Sequence, residues 1–463
     1  TGEDYYTYET AGMVTSVKWS PDSLFVAAVV EGARKVHVFS KEETDWDCTI
    51  GGGPAGLTDV KWTPDSRHII TISDYGLEAC VWSLTEGSEL ARWINPNLGA
   101  DGIAFSPSFE YMACVVRLQC KDHIVIRSLE DFEVLLQFRV SKTPTSVVGI
   151  EMPSDGKVVV WDTPMTYRIL VCKLPDLSNS PDPNKVETTV YNPYSDSMGV
   201  KACTVSHRGH YIAAGGFDER LRVLDTEDGA LLASLEHSLE GEREREADRP
   251  RSDDMCVYVE VDGERGVSQY ASVLDAYVPA YEINERNPGL DFGVSCPEWS
   301  PDDLYIATHN QNMPHAVWIW SVDQLSLRAV ILQSTPVSSF KWAPTPGSPM
   351  LAITSLPKSP TPQAPDVPEG HSAAKHPGRH VTLWTVEGVL AVGLPKSIPS
   401  SMLDARMAKD SITTEGVQLE WTGSRPRPCA VVPEGERTRE PTLLLRCRED
   451  ILVMEGLADT FAK

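Results

Sequence analysis

Trp19-Ser20-Pro21-Asp22 decides the reading of this chain because it comes back. It returns as Trp62-Thr63-Pro64-Asp65, Phe105-Ser106-Pro107, Trp299-Ser300-Pro301-Asp302 and, more weakly, Trp342-Ala343-Pro344. Trp19 to Trp62, Trp62 to Phe105 and Trp299 to Trp342 are each 43 residues apart. An apolar run follows the anchor, Leu24 to Val30 in the first repeat and His68 to Ile72 in the second. A further strand-like run then ends on an aromatic: Val36-His37-Val38-Phe39, Ala79-Cys80-Val81-Trp82 and Val317-Trp318-Ile319-Trp320. Pro presets φ for a turn and Asp can bond its own backbone, so the motif suits a tight connection between strands. The aromatic is expected to fill the space between neighbouring units.

A period of about 40–45 residues is the length of one four-stranded blade of the WD40 class. The expected fold is therefore all-β, a WD40-type β-propeller. Degenerate copies extend the series. Glu151-Met152-Pro153-Ser154-Asp155-Gly156 keeps the turn and leads into Val158 to Asp162; Val205-Ser206-His207-Arg208-Gly209 precedes Tyr211 to Gly215 and Leu221 to Asp225. Trp421-Thr422-Gly423 precedes Thr442 to Cys447 and Ile451 to Met454. Residues 1–463 thus read as one propeller of about eight blades, anchored near 19, 62, 105, 151, 205, 299, 342 and 421.

Three insertions break the period. Residues 175–197 read as an extended loop, 236–290 as a charged run followed by an apolar patch at Val257 to Val261, and 356–379 as a proline-rich disordered loop. Ser400 to Lys409 could form one short helix. The chain begins at Thr1 without methionine, and Tyr5 to Glu9 already reads as a strand. That opening predicts a truncated segment with an initial blade missing, so that the native ring exceeds eight units or splits into two bodies.

Composition narrows the partners. A net charge of −25 counts against nucleic acid and anionic membrane surfaces. No apolar run reaches a membrane span and no signal-like segment opens the chain. The ten cysteines do not form a disulfide pattern; Cys80, Cys114, Cys172, Cys203 and Cys447 lie in or beside apolar strands, as buried thiols do. With no Asn-x-Ser/Thr site, this favours a reducing, intracellular compartment.

Catalytic motifs fare poorly. Gly51 to Gly56 satisfies G-x-G-x-x-G, but Leu57 to Trp62 continues as a strand where a dinucleotide site needs a helix. Cys120 and His123 lack a second ligand pair for zinc, and His371 and His376 lie in the proline-rich loop. Asp162 and Asp225 stand where repeats of this class place an Asp that bonds turn and His groups, and read as structural. No metal, cofactor or catalytic residue is expected, and no G-x-S-x-G occurs. Ser180-Pro181, Ser359-Pro360 and Thr361-Pro362 suit proline-directed kinases; the alternative is that these prolines simply keep the loops extended. Partner contacts are expected at blade turns, in particular Asp74 and Tyr75 of Asp74-Tyr75-Gly76, and Asn310 and Asn312 of Asn310 to Pro314.

Several stretches resemble a narrower group, the family of WD repeat-containing protein eight. They are Asp45-Trp46-Asp47-Cys48 with Ala55-Gly56-Leu57 and Trp62 to Ile69, Val159 to Thr163 before Tyr167 to Leu170, and Asn287-Pro288 ahead of Trp299. Met313-Pro314-His315-Ala316-Val317-Trp318-Ile319-Trp320 with Leu325, Leu327 and Ala329-Val330 completes the set. The resemblance implies a non-enzymatic adaptor that anchors microtubule minus ends at the centrosome or spindle pole body, with a coiled-coil partner and, in fungi, a kinesin-14 motor. The acidic charge implies that any microtubule contact is indirect, through the partners. The alternative is a general WD-repeat scaffold of another cytosolic complex, such as a translation or ubiquitin-ligase subunit.

Overall fold

The computed structural model describes residues 14–30, 35–43, 45–53, 56–140, 146–162, 168–178, 181–191, 199–239, 255–263, 268–273, 276–280, 292–344, 349–355, 380–393, 418–422, 442–446 and 451–454, with positions 8, 10, 12 and 372. Sheet one contains β1 (Val14–Trp19), β2 (Phe25–Val30), β3 (Lys35–Ser40) and β4 (Asp47–Gly51). Sheet two contains β5 (Asp59–Trp62), β6 (His68–Ile72), β7 (Glu78–Ser83) and β8 (Glu89–Ile94). Sheet three contains β9 (Ile103–Phe105), β10 (Tyr111–Leu118), β11 (Lys121–Ser128) and β12 (Val134–Arg139). Sheet four contains β13 (Val147–Ser154), β14 (Lys157–Asp162), β15 (Ile169–Lys173) and β16 (Glu187–Tyr191). Sheet five contains β17 (Val200–Val205), β18 (Tyr211–Gly216), β19 (Arg220–Asp225) and β20 (Leu231–Glu236).

Sheet six opens with an added hairpin, β21 (Cys256–Val261) and β22 (Gln269–Val273). Its meander is β23 (Val294–Trp299), β24 (Tyr305–Asn310), β25 (Ala316–Ser321) and β26 (Ser326–Leu332). Sheet seven contains β27 (Val337–Trp342), β28 (Leu351–Ser355), β29 (His380–Thr385) and β30 (Gly388–Gly393). Sheet eight contains β31 (Gln418–Thr422), β32 (Thr442–Arg446) and β33 (Ile451–Met454). Within each meander neighbours in sequence are neighbours in the sheet. This repeated unit is the all-β, WD40-type propeller architecture. Each of the eight anchor positions lies in the first strand of a different meander. Among the described residues no helix is long and apolar enough to cross a membrane.

The turn motif explains its own recurrence. Ser20 Oγ donates to Asp22 Oδ1 (2.6 Å), which also accepts from the Leu24 amide (3.0 Å), while the Phe25 amide donates to Ser20 Oγ (2.9 Å). Ser300 with Asp302 repeats this closure; Thr63 with Asp65 repeats its first two bonds, while the Thr63 hydroxyl also donates to the His68 carbonyl (2.8 Å). Each turn needs one residue at positive φ, here Ser23, Ser66, Phe109 and Asp303. The anchor indole then reaches the preceding sheet. Trp62 Nε1 donates to the Lys18 carbonyl (3.0 Å), Trp342 Nε1 to that of Glu298 (3.1 Å) and Trp299 Nε1 to that of Thr204 (3.4 Å).

Contacts divide the chain into two compact units. One comprises Thr1–Val200, Arg208–His210 and Thr422–Val431; the other comprises Lys201–His207, Tyr211–Trp421 and Val432–Lys463. In the first unit, apolar clusters join sheet one to two, two to three and three to four, through Val38 with Trp62, Val81 with Met112 and Ile126 with Val158. In the second, Leu221 and Val223 pack with Trp318 and Trp320, and Val317 and Ile319 with Trp342 and Trp384. A fully buried Ile such as Ile69 or Ile124 contributes about 2 kcal/mol. Gly149 pairs with Trp161 across β13 and β14, and a Cβ there would run into the indole.

Two insertions differ from the sequence reading. Residues 175–197 hold β16, the fourth strand of sheet four, behind a short 3-10 turn at Pro183–Lys185. β16 is an edge strand that is mostly exposed, so no apolar alternation marks it. Residues 236–290 hold the hairpin, whose β21 runs parallel to β26 from Cys256↔Ala329 to Val259↔Leu332. Val257, Val259 and Val261 are buried there. Most of 356–379, the proposed helix at 400–409, His371, His376 and the three Ser/Thr-Pro sites lie outside the described residues, as do Tyr5 to Glu9 except Tyr8. Tyr8 lies outside any strand, stacks on Phe39 at 4.6 Å and donates its hydroxyl to the Ser40 carbonyl (2.6 Å).

Candidate interaction surface

The two turns singled out in the sequence part ways in the structure. Asp74–Gly76 is a single 3-10 turn between β6 and β7, with Tyr75 at φ 59° and its side chain 97 % exposed. Gly76 also sits at positive φ, and a Cβ would stand 2.9 Å from the Pro96 carbonyl oxygen. Asp74 lies against Gly56, so its carboxylate is the inner part of the turn and the Tyr75 ring the outer part.

Asn310 and Asn312 are a correction. They are 0 % and 4 % exposed. Asn310 Nδ2 donates to Glu219 Oε2 (3.1 Å), Asn312 Nδ2 donates to Glu219 Oε1, and the Asn312 amide donates to Asn310 Oδ1 (3.2 Å). The carboxylate of sheet five thus fixes the turn after β24, and neither side chain is offered to a partner. Amide side chains suit an exposed turn and a buried network equally, which is why sequence did not separate the two.

A relay beside that turn went unnoticed in the sequence. His237 Nδ1–H donates to the Glu219 carbonyl (2.9 Å), leaving Nε2 to accept from Thr308 Oγ1 (2.9 Å), which itself accepts from Trp320 Nε1 (2.9 Å). Burial pulls the His237 pKa down to about 4, so the imidazole is neutral, as this chain of donors requires. Trp82 Nε1 donating to Thr71 Oγ1 (3.0 Å) is a partial copy in sheet two. The signal lay in the Thr and Trp of successive strands, Thr308 and Trp320; His237 was hidden at the edge of an insertion. Asp225 is structural, as expected, but accepts from the Glu227 amide (2.6 Å), and the His contact falls to Glu219. The side chain of Asp162 lies outside the described residues.

A second buried cluster ties the hairpin to sheet seven. Glu260 accepts from Ser268 Oγ (2.7 Å) and the Ser334 amide (2.8 Å), with His380 Nε2 at 3.8 Å. Tyr270 Oη lies 2.7 Å from Thr382 Oγ1 and 3.3 Å from His380 Nε2. Burial drives the Tyr270 pKa well above the usual phenol value and lowers that of His380. A carboxylate, an imidazole and a phenol together resemble acid–base machinery, but Glu260 and His380 are sealed in the packed interface. Here they brace it.

Gly51 to Gly56 leads into β5, so it joins two sheets and opens no helix. Cys120 sits in the turn before β11, and His123 Nδ1–H faces the Lys121 carbonyl at 3.1 Å. Among the described residues no three His, Cys, Asp or Glu side chains are placed to hold a metal.

Several of the exposed apolar side chains belong to sheets two and three. Tyr75, Leu77 and Ile94 belong to sheet two and its turn, with Ile94 61 % exposed; Val134 of sheet three is 48 % exposed. Leu77 adjoins the end of β8, its carbonyl accepting from the Asn95 amide (2.9 Å). Between β8 and the face of β10, β11 and β12 lies a groove of about 290 Å³, lined by Trp93, Ile94, Val116, Leu118, Arg127 and Val134 among others. Arg127 projects over the Trp93 ring at 5.0 Å from its centroid. A mostly aliphatic and aromatic wall with one guanidinium in it can hold a polypeptide.

No family model matches the chain. It is similar to WD repeat-containing protein WRAP73 of Mus musculus, with 26 % identity over 414 residues that span 84 % of this chain and 79 % of the relative. Sheet order, the indole-to-carbonyl ties between sheets and this likeness to a WD-repeat protein agree on one fold, an all-β, WD40-type β-propeller.

Proposed function

We propose that this chain is a non-enzymatic adaptor that helps anchor microtubule minus ends at the centrosome or spindle pole body. Its partners in that role are a coiled-coil anchoring protein and, in fungi, a kinesin-14 motor. The observation that carries the reading is the run of matched segments from Asp45 to Ile69 and from Met313 to Val330, in a chain similar over most of its length to a WD-repeat protein. The acidic charge supports an indirect route to the microtubule, through basic segments of partners.

The test is a fluorescent tag on the native protein in dividing cells, followed by mass spectrometry of what co-purifies. A focus at each pole together with a coiled-coil protein is the expected result. Diffuse signal through mitosis, with subunits of a translation or ubiquitin-ligase assembly recovered, would overturn it in favour of a scaffold elsewhere in the cell.

A further inference from the structure

The groove between sheets two and three holds a cation without an anion. Arg127 Nη1 donates to the Phe132 carbonyl (2.7 Å), the hydrogen bond this guanidinium makes, and its buried Nε has no acceptor. No carboxylate among the described residues lies within ion-pair distance of it; Glu133 acts on it only from further away. By contrast Arg92, on the groove's rim, is held by Glu89 at 2.7 Å and Glu78 at 2.9 Å. Trp93 Nε1 in the groove wall is a second buried donor with no partner. A guanidinium offers a planar fork of donors matched to a carboxylate, and a half-buried one left unpaired costs stability. The rest of the wall is aliphatic, with Ile94 and Val134 exposed at its mouth.

We infer that this groove is a docking slot for a short segment of a partner protein that carries one carboxylate side chain beside an aliphatic residue. The carboxylate pairs with Arg127 and the aliphatic side chain covers Trp93, Ile94 and Val134. One guanidinium in an apolar slot of this size matches a single charge. The chain's bulk charge of −25 repels acidic partners at long range, so recognition here is short-range and local. This inference stands apart from the minus-end reading, and either can fail alone.

The test uses the full chain on an array of ten-residue peptides in which one Glu is walked through a Leu, Val and Ser background, beside Gln counterparts. Glu peptides with a neighbouring Leu should be retained about tenfold more strongly than their Gln versions, the size of a charge-assisted hydrogen bond. Arg127→Gln should erase that difference. Because Arg127 also supports the Phe132 turn, the exposed Ile94 gives the cleaner pair: Ile94→Asp should abolish retention and Ile94→Lys should strengthen it, with unchanged melting. Retention of no acidic peptide, equal retention of Glu and Gln forms, or indifference to both Ile94 variants would overturn the inference.

Discussion

Four tryptophans carry the same motif and three of them carry the same bond. Trp62, Trp299 and Trp342 each donate an indole N–H to the first strand of the preceding sheet, whereas Trp19 Nε1 is buried with no partner. Replacing Trp by Phe removes the donor but keeps most of the apolar area. Trp62→Phe and Trp342→Phe should therefore each lose about 1–3 kcal/mol, because a part-buried carbonyl loses its indole donor. Trp19→Phe loses no such bond and should cost less. Urea midpoints of the three variants give the comparison, and equal losses at all three would show that indole volume alone matters. The motif was legible because most of its chemistry is local: Ser20, Asp22 and the positive φ of Ser23 close the turn, and its one long-range bond, from the Asp22 amide to Ser66 Oγ (3.0 Å), comes from the next copy of the same motif. Asn310 and Asn312 were not, since a carboxylate 91 residues away, on Glu219, decides where they point.

At the scale of elements, buried polar side chains stitch sheet to sheet. The His237–Thr308–Trp320 relay works only with a neutral imidazole, and burial places both His237 and His309 at about 4. Unfolded histidine titrates near 6.5. Between about 6.5 and 4 the unfolded chain binds protons that the folded chain refuses, so stability is full above this window and falls as pH drops through it, flattening below 4. Each group contributes on the order of 3 kcal/mol to that fall. Denaturation midpoints at pH 7.5, 6.0 and 5.0 should decline, and His237→Gln should make the decline shallower. A pH-independent midpoint across this range would mean the histidines take up protons when folded. β16 and the β21–β22 hairpin escaped the sequence for a shared reason. Both are strands added at an edge, off the 43-residue period, and their recognition depends on the strand they pair with, β15 and β26.

At the scale of the whole molecule, charge is the property that composition fixes without any coordinates. A chain with 66 acidic and 41 basic side chains carries a field that repels other acidic surfaces over about 10 Å at 0.1 M salt, and over longer distances when salt is lower. The microtubule lattice is such a surface. Within the described residues many of the lysines are also spent: Lys18 on Asp59, Lys61 on the carbonyls of Ala100 and Ile103, Lys341 on Glu298. The purified chain should therefore remain in the supernatant when sedimented with stabilised microtubules, and lowering the salt should drive it no further into the pellet. Addition of a basic partner segment should bring it down, with binding that weakens as salt rises. Pelleting of the chain alone that grows as salt is lowered would mean that a concentrated basic face outweighs the net charge, and the adaptor would then touch the lattice itself.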